Sequence, residues 1–433
     1  MIQSFQLWNN KKPLGAMFFS SLILGAGLSF GNLYFFHVLL LLVISLISIR
    51  KEYRETLWVI AKKPLNLIIF SIFFWFLLSC LWSENKTYAL VYVAQYFLGI
   101  MAILIVQFFV EDKSSFIFYK NKVLYPLFLL IILLSLLEIF TSFRWPISSL
   151  SYHNDWFGRE NIVMNILKTE RINGYIDSSP TVFFWNPNNL AVFLCLFLPF
   201  LSKRSWLNVF LFVTTIFVIY NTGSRLTIIS LGLVLVIICL FKFSNFRFIG
   251  YFVISLMFPI IFFPNSTIAI KANEPIERII GVNLIPIFGF NFTRKNSMLE
   301  QNDNSKTIRK QLYKQGLQDI MESKLLGVGA GNAEWYNFKR KEQTQNITSV
   351  HFYWLELIIN GGIIVLLLLG YYFLIIARDL YILRNNEITI AIATAIMIFS
   401  LAVISMSSAH YFLPYYGFLG LLHAWINCNQ KIA

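Results

Sequence analysis

Charge is scarce in this chain: 13% of its 433 residues are Asp, Glu, Lys or Arg, about half the share that soluble domains carry. That scarcity excludes an ordinary water-soluble domain. The four cysteines, Cys80, Cys195, Cys239 and Cys428, have no paired spacing, which excludes a disulfide framework and a zinc site and leaves them as small apolar filler. The acidic residues are scattered, with no Asp-x-Asp pair, so the sequence calls for no metal and no cofactor. No cleavable signal peptide is visible, because the first apolar run lacks a small-residue cleavage site and is followed at once by a second. It is expected to remain as an anchor. No basic stripe interleaved with aromatics is present, which argues against nucleic acid, and neither a soluble domain nor an internal repeat is visible.

What the chain has instead is hydrocarbon. Apolar residues make up 57% of it and its mean hydropathy is +0.66, the composition of a chain whose main solvent is lipid. Twelve runs approach the length needed to cross a core of about 30 Å as helices: 14–30, 32–49, 65–82, 88–110, 122–142, 189–202, 205–221, 225–241, 247–264, 352–376, 388–407 and 410–427. The expected fold is therefore an all-α polytopic membrane protein with about 12 transmembrane helices. The sixth and seventh runs are short enough to be buried or re-entrant segments instead.

Orientation follows from the basic residues, since short loops rich in Lys and Arg stay in the cytoplasm. With the N terminus inside, the cytoplasmic turns carry Lys11 and Lys12; Arg50, Lys51, Arg54, Lys62 and Lys63; Lys113, Lys120 and Lys122; Lys203 and Arg204; Lys242 and Arg247; Arg378 and Arg384; and Lys431. The short opposite turns, 83–87, 222–224 and 408–409, hold only Lys86. Both termini are thus expected in the cytoplasm, and the formal charge of +14 reads as topology plus attraction to anionic lipid. The expected organisation is N-terminal spans over 1–142, an extracytoplasmic loop at 143–188, spans over 189–264, a larger extracytoplasmic loop at 265–351 and C-terminal spans over 352–433.

Connections this long are usually functional or disordered. In the larger one, Ile308, Leu312, Leu317, Ile320, Met321 and Leu325 recur near helical spacing, which predicts an amphipathic helix over about 305–325 on the membrane or over a cavity. Gly327, Gly329 and Gly331 follow. No strand precedes them and no Lys-Ser/Thr pair comes after, so they read as a turn after a helix and not as a phosphate loop.

Four cationic or titratable positions distant in sequence fall on the extracytoplasmic side: Arg171, Arg225, Arg309 and His351. Arg225, in NTGSRLTIISLGL, reads either as a snorkelling anchor or as a functional cation. Anchoring cations favour the cytoplasmic side, and this one is outside. Arg171 precedes the Asn186-Pro187-Asn188 turn into the sixth run, whose residues alone are ordinary helix-start chemistry. Arg309 sits beside Lys306 and Lys310, where a solvated charged face is the plain alternative. His351 opens the tenth run, at the membrane level of the arginines; His37, His410 and His423 lie within or at the ends of apolar runs, and His153 lies in a loop without neighbouring acids. Glu356, an intramembrane carboxylate, is costly unless paired or functional. It is five residues from His351 and off its helix face, so an arginine from another span is the expected partner.

Three segments together resemble the O-antigen ligase and O-antigen polymerase superfamily: RINGYIDSSPTVFFWNPNNLAVFLCL, NTGSRLTIISLGL, and IRKQLYKQGLQDIMESKLLGVGAGNAEWY followed by VHFYWLELIINGGIIVLLLLG. The resemblance covers about 170–376. Phe352 stands where the family often has Asn after the histidine, and the tandem Gly361-Gly362 departs from the usual glycine spacing. The resemblance implies a glycosyltransferase-C-like membrane fold in the bacterial inner membrane and a glycan donor linked to undecaprenyl pyrophosphate. The acceptor is then either another lipid-linked glycan or the lipid A core, and a chain-length regulator is a conceivable partner. Residue chemistry fits independently. Guanidinium forks at Arg225, Arg309 and Arg171 suit a pyrophosphate leaving group, histidine suits a general base near neutral pH, and Glu356, Asn186 and Asn188 would support them. A metal-independent, inverting direct displacement is expected, with polymerase favoured over ligase. A multi-pass transporter or flippase would instead place its charges near the bilayer midplane, and a scaffold without chemistry is the plainest alternative.

Overall fold

A computed structural model describes residues 11–148, 150–151, 153–158, 179–201, 206–224, 226–232, 297–340, 348–350, 352–403 and 411–430, with side-chain environments in the 297–340 stretch from 308 onward. Among these the chain is almost wholly helical. The helices are α1 (Lys11–Leu24), α2 (Phe35–Ile49), α3 (Lys51–Ala61), α4 (Pro64–Ser79), α5 (Lys86–Phe109), α6 (Lys113–Tyr119), α7 (Tyr125–Phe140), α8 (Pro187–Phe197), α9 (Trp206–Asn221), α10 (Ser297–Glu322), α11 (Asn332–Lys339), α12 (Tyr353–Ile382), α13 (Glu387–Ala402) and α14 (Leu413–Gln430). A two-stranded hairpin, Ser29–Phe30 against Leu33–Tyr34, joins α1 to α2. Three stretches, Lys86–Phe109, Lys113–Phe140 and Tyr353–Ile382, are long and apolar enough to cross a membrane, and shorter apolar helices accompany them.

The sides of these helices explain why they need lipid. Leu41, Phe74, Leu90, Leu133, Leu367 and Leu374 all stand exposed on outer faces, a belt that water would penalise. Inside, α5 packs along α14 and α12 along α4, around a core that includes Phe76, Tyr96, Tyr416 and Trp425. Tyr372 donates to His423 Nε2 (2.7 Å), whose Nδ1 proton goes to Asn66 Oδ1 (2.8 Å). Asn66 and Gln107 exchange amide hydrogen bonds of 3.0 and 3.1 Å. Polar groups cost heavily inside lipid unless satisfied, and here they satisfy one another across four helices. His423 is therefore structural.

The first expected span is shorter than its apolar run. In the run 14–30 the α-helix ends at Leu24 and a 3-10 turn, Gly25–Gly27, follows it; Gly25 takes φ +38°, and Gly27 lies so close to Phe183 that an added Cβ would sit 2.5 Å from its side chain. A surface helix absent from the sequence reading, α3, buries none of its residues and meets α4 at 82°, the bend lying just before Pro64. The runs at 32–49, 65–82, 88–110, 122–142, 189–202, 205–221, 352–376, 388–407 and 410–427 each contain a helix among their described residues. The run 225–241 is described only over 226–232, and 247–264 lies outside the described residues.

Candidate functional site

One end of the bundle gathers Lys11, Arg50, Glu111 and Asn427; the other gathers Gly27, Trp82, Trp145, Asn186 and Gly327. Both long connections return to this second end, and two devices fix them there.

The first device is a buried carboxylate. Glu138, in the last turn of α7, is fully buried and accepts from the backbone N–H groups of Trp145 (2.9 Å), Thr181 (2.7 Å) and Val182 (2.9 Å). Arg144 lies 3.5 Å from the same carboxylate and donates to the carbonyl of Ser179 (2.8 Å). A carboxylate so enclosed holds both ends of the first loop, and Val182, which donates to it, sits at φ +47°. The chain then reaches Asn186, whose side chain accepts from Asn189 N–H (2.9 Å) as the N-cap of α8. Asn186 and Asn188 are half-buried, and the cap gives Asn186 a structural task. Arg171 lies outside the described residues.

The second device is a break in a helix. In α12, Gly362 leaves helical geometry at φ 68°, ψ −160°, freeing backbone groups within the bundle. The glycine-rich segment after α10 supplies their partners in strand fashion: Val328 N–H donates to Ile359 (2.8 Å), Gly329 N–H to Asn360 (3.0 Å), and Ile363 N–H to Leu325 (2.9 Å). Trp75 caps the carbonyl of Gly361 (2.7 Å) and Trp82 that of Gly327 (3.0 Å). Here the glycines are obligatory. A Cβ on Gly362 would sit 2.2 Å from Leu325 O, one on Gly327 2.5 Å from Gly362 N, and one on Gly329 2.1 Å from Ser83 Oγ. The segment is a turn after a helix, as its sequence suggests, and also the filling of a helix break.

This clamp lays α10 against the start of α12. Ile308, Leu312 and Ile320 are buried, with Gln315 and Asp319, and Gly316 lets Ile359 approach. Leu317, Met321 and Leu325 are exposed, so half of the expected apolar stripe faces outward. Asp319 takes an inward position because Arg340 pairs with it; burial still pushes its carboxyl above the usual carboxylate range. Arg309 is exposed, one turn from Tyr313, whose ring meets Phe352 edge-on at 5.6 Å. His351 lies outside the described residues, yet its neighbours Val350 and Phe352 pack against Val328, Ile359 and Tyr313. Arg225 also lies outside them; on either side of it Ser224 and Thr227 are buried and hydrogen-bond each other (2.7 Å) between α9 and the helical turn at 226–232. Glu356 is buried one turn into α12, close to Tyr92 of α5.

Among the described residues, no group of three His, Cys, Asp or Glu is placed to hold a metal ion. Sequence reasoning missed Glu138 and Arg144. The signal was available, since Glu138 is the one acidic residue in the apolar run 122–142.

Fold and loop anchoring define a helical membrane protein that gathers two long connections at one end. The family model described as O-antigen ligase matches residues 210–370, from within α9 to within α12, and this bears out the resemblance to the O-antigen ligase and polymerase superfamily. The match supports a membrane enzyme of the ligase or polymerase type. No curated protein and no solved structure matches the chain.

Proposed function

We propose that this protein is a membrane glycosyltransferase that moves a glycan from undecaprenyl pyrophosphate to a sugar hydroxyl on the extracytoplasmic face, as a polymerase of O-antigen or capsular polysaccharide. The observation that carries the reading is the match over 210–370, which takes in Arg225, Arg309, His351 and Glu356 together. The contact of Tyr313 with Phe352 supports it, because it brings the chain beside His351 to within one helical turn of Arg309.

In this reading the acceptor oxygen attacks the anomeric carbon, and His351 takes the hydroxyl proton as the new C–O bond forms. The bond to the pyrophosphate oxygen breaks, and the leaving group gains negative charge that Arg225 and Arg309, with Arg171, stabilise through bidentate contacts. Glu356 keeps its place in the bundle interior, and Asn186 and Asn188 hold the entry to α8. The reading requires neither metal nor cofactor, with the loop end outside and both termini in the cytoplasm. A ligase that uses the lipid A core as acceptor employs the same chemistry, and the match over 210–370 fits either acceptor.

The test is transfer in reconstituted membranes. His351→Gln is expected to lower the rate by roughly 10²–10⁴, since an amide cannot take the proton, and Arg309→Ala by roughly 10²–10³, with donor binding retained in the histidine variant. A chelator is expected to have no effect. Wild-type rates in His351→Gln, or arrest by the chelator, would remove the metal-free histidine mechanism. Offering the two acceptors separately distinguishes polymerase from ligase.

A further inference from the structure

At the end of the bundle opposite the long connections, α1 and α2 diverge around a groove of about 180 Å³ that the end of α5 closes from behind. Its walls are apolar, from Leu14 and Met17 on one side to Leu42 and Leu46 on the other, with Phe109 at the back. The groove runs from Lys11 to Met17 along α1 and from Arg50 to Leu42 along α2, which at 1.5 Å per residue is roughly 9–12 Å of depth. Met17 and Leu42 are about half exposed, so the groove opens sideways on the faces that meet lipid.

The mouth is built differently. Lys11 Nζ lies 4.8 Å from the centre of the Tyr53 ring and 4.4 Å from that of Phe108, and Arg50 Cζ lies 5.2 Å from the same Tyr53 ring. Two cations are thus held over one aromatic ring at the entrance of an apolar slot. Lys11 is committed to Glu111. Arg50 spends one of the five N–H groups of a guanidinium on Tyr53 Oη (3.0 Å), so its planar fork is the principal phosphate ligand. Of the charges next to these two in the chain, Lys12 lies over the Phe118 ring at 5.2 Å and Arg54 donates to the carbonyl of Ser48, while Lys51 partly offsets Glu55 at 3.8 Å.

We propose that this groove is a binding site for an anionic phospholipid of the bilayer, with an acyl chain between α1 and α2 and the headgroup phosphate on Arg50 beside Lys11. An apolar slot open to lipid cannot hold water stably, and cations at its mouth select charge where the walls select hydrocarbon. The site is independent of the transfer chemistry at the other end.

Native mass spectrometry of the full chain in mild detergent, titrated with phosphatidylglycerol or with phosphatidylcholine of the same acyl chains, tests it. Wild-type protein is expected to retain phosphatidylglycerol preferentially. Arg50→Gln should lower that retention about fivefold, the effect of one cation at a charged surface, and lower phosphatidylcholine retention less, because the choline cation already offsets that lipid's phosphate. Arg50→Lys should keep most of the preference, and Met17→Trp, which fills the slot from a half-exposed position, should reduce retention of both lipids. Thermal unfolding shows whether each variant is folded. Equal retention of the two lipids by wild type, or unchanged phosphatidylglycerol retention in folded Arg50→Gln or folded Met17→Trp, overturns the proposal. A dimeric mass that Met17→Trp converts to monomer also overturns it, because a second copy of the chain is then the occupant.

Discussion

The segment that follows α7 is fastened by one side chain, whereas the segment that follows α10 is fastened by its own backbone. Glu138 collects three N–H groups and an arginine in a fully buried place; Gly327, Gly329 and Gly331 thread a chain against an opened helix, so that carbonyls and N–H groups of both partners are used. Each solves the same problem, since buried non-helical backbone must find its hydrogen bonds within the protein. They fail differently. A carboxylate fastening is concentrated in one group and is lost with it, while a backbone fastening has no single side chain to remove and breaks only when its close approach is blocked.

Glu138→Ala is the largest expected break. It leaves Arg144 buried with 9% side-chain exposure and without its carboxylate, and three N–H groups without an acceptor, for a cost of about 3–5 kcal/mol. Glu138→Gln should recover part of this, as its single carbonyl oxygen can still accept while its NH₂ opposes the remaining donors. Denaturant or thermal unfolding in detergent measures both. If Glu138→Ala unfolds like wild type, the carboxylate does not hold the first loop.

Gly329→Ala comes next and probes the other fastening. At φ +93° a side chain is strained by roughly 1–3 kcal/mol, and its Cβ would meet Ser83 Oγ at 2.1 Å and Ser79 O at 3.0 Å. Ser83→Ala in the same chain should relieve the first clash and restore part of the stability, a coupling that distant sites do not show. Because the clamp sets α10 against the start of α12, Gly329→Ala should also lower transfer more than an equally destabilising change in α3. Equal loss in the two would make the clamp a stability element alone.

How far these devices can be read in the sequence differs with their physics. The helices were legible because apolar runs bounded by basic turns report lipid burial directly. Half of α10 was legible: Ile308, Leu312 and Ile320 face inward as their spacing suggests. Leu317 and Met321 do not, because Gly316 admits Ile359 and Arg340 allows Asp319 to be buried, both consequences of partners tens of residues away. Glu138 shows as an isolated acid in an apolar run, yet its partners are backbone N–H groups at 181 and 182, which leave no residue-type signature. The opening at Gly362 is equally hidden, since glycine is common in membrane helices and only the paired segment distinguishes a break from a packing site. Arg171, Arg225, Arg309 and His351 stood out by residue type and membrane side; Arg309 alone lies among the described residues, and the structure adds its neighbourhood with Tyr313.

The smallest expected effect lies at the edge of the clamp, where Lys339 of α11 pairs with Glu84 just before α5. The hydrogen bond from Lys339 holds the Glu84 carboxyl below the usual carboxylate range. A depressed folded-state value means that the stabilisation is present above the unfolded-state value and disappears as pH falls through the depressed one, so any contribution holds at neutral pH and is lost only in acid below the unfolded carboxyl value. The Glu84 side chain is 43% exposed, and water and salt screen such pairs. Glu84→Gln should therefore leave unfolding at neutral pH indistinguishable from wild type, whereas Gly329→Ala does not. A substantial loss in Glu84→Gln that high salt abolishes would mean that an ion pair, and not the threaded backbone, fastens the second connection.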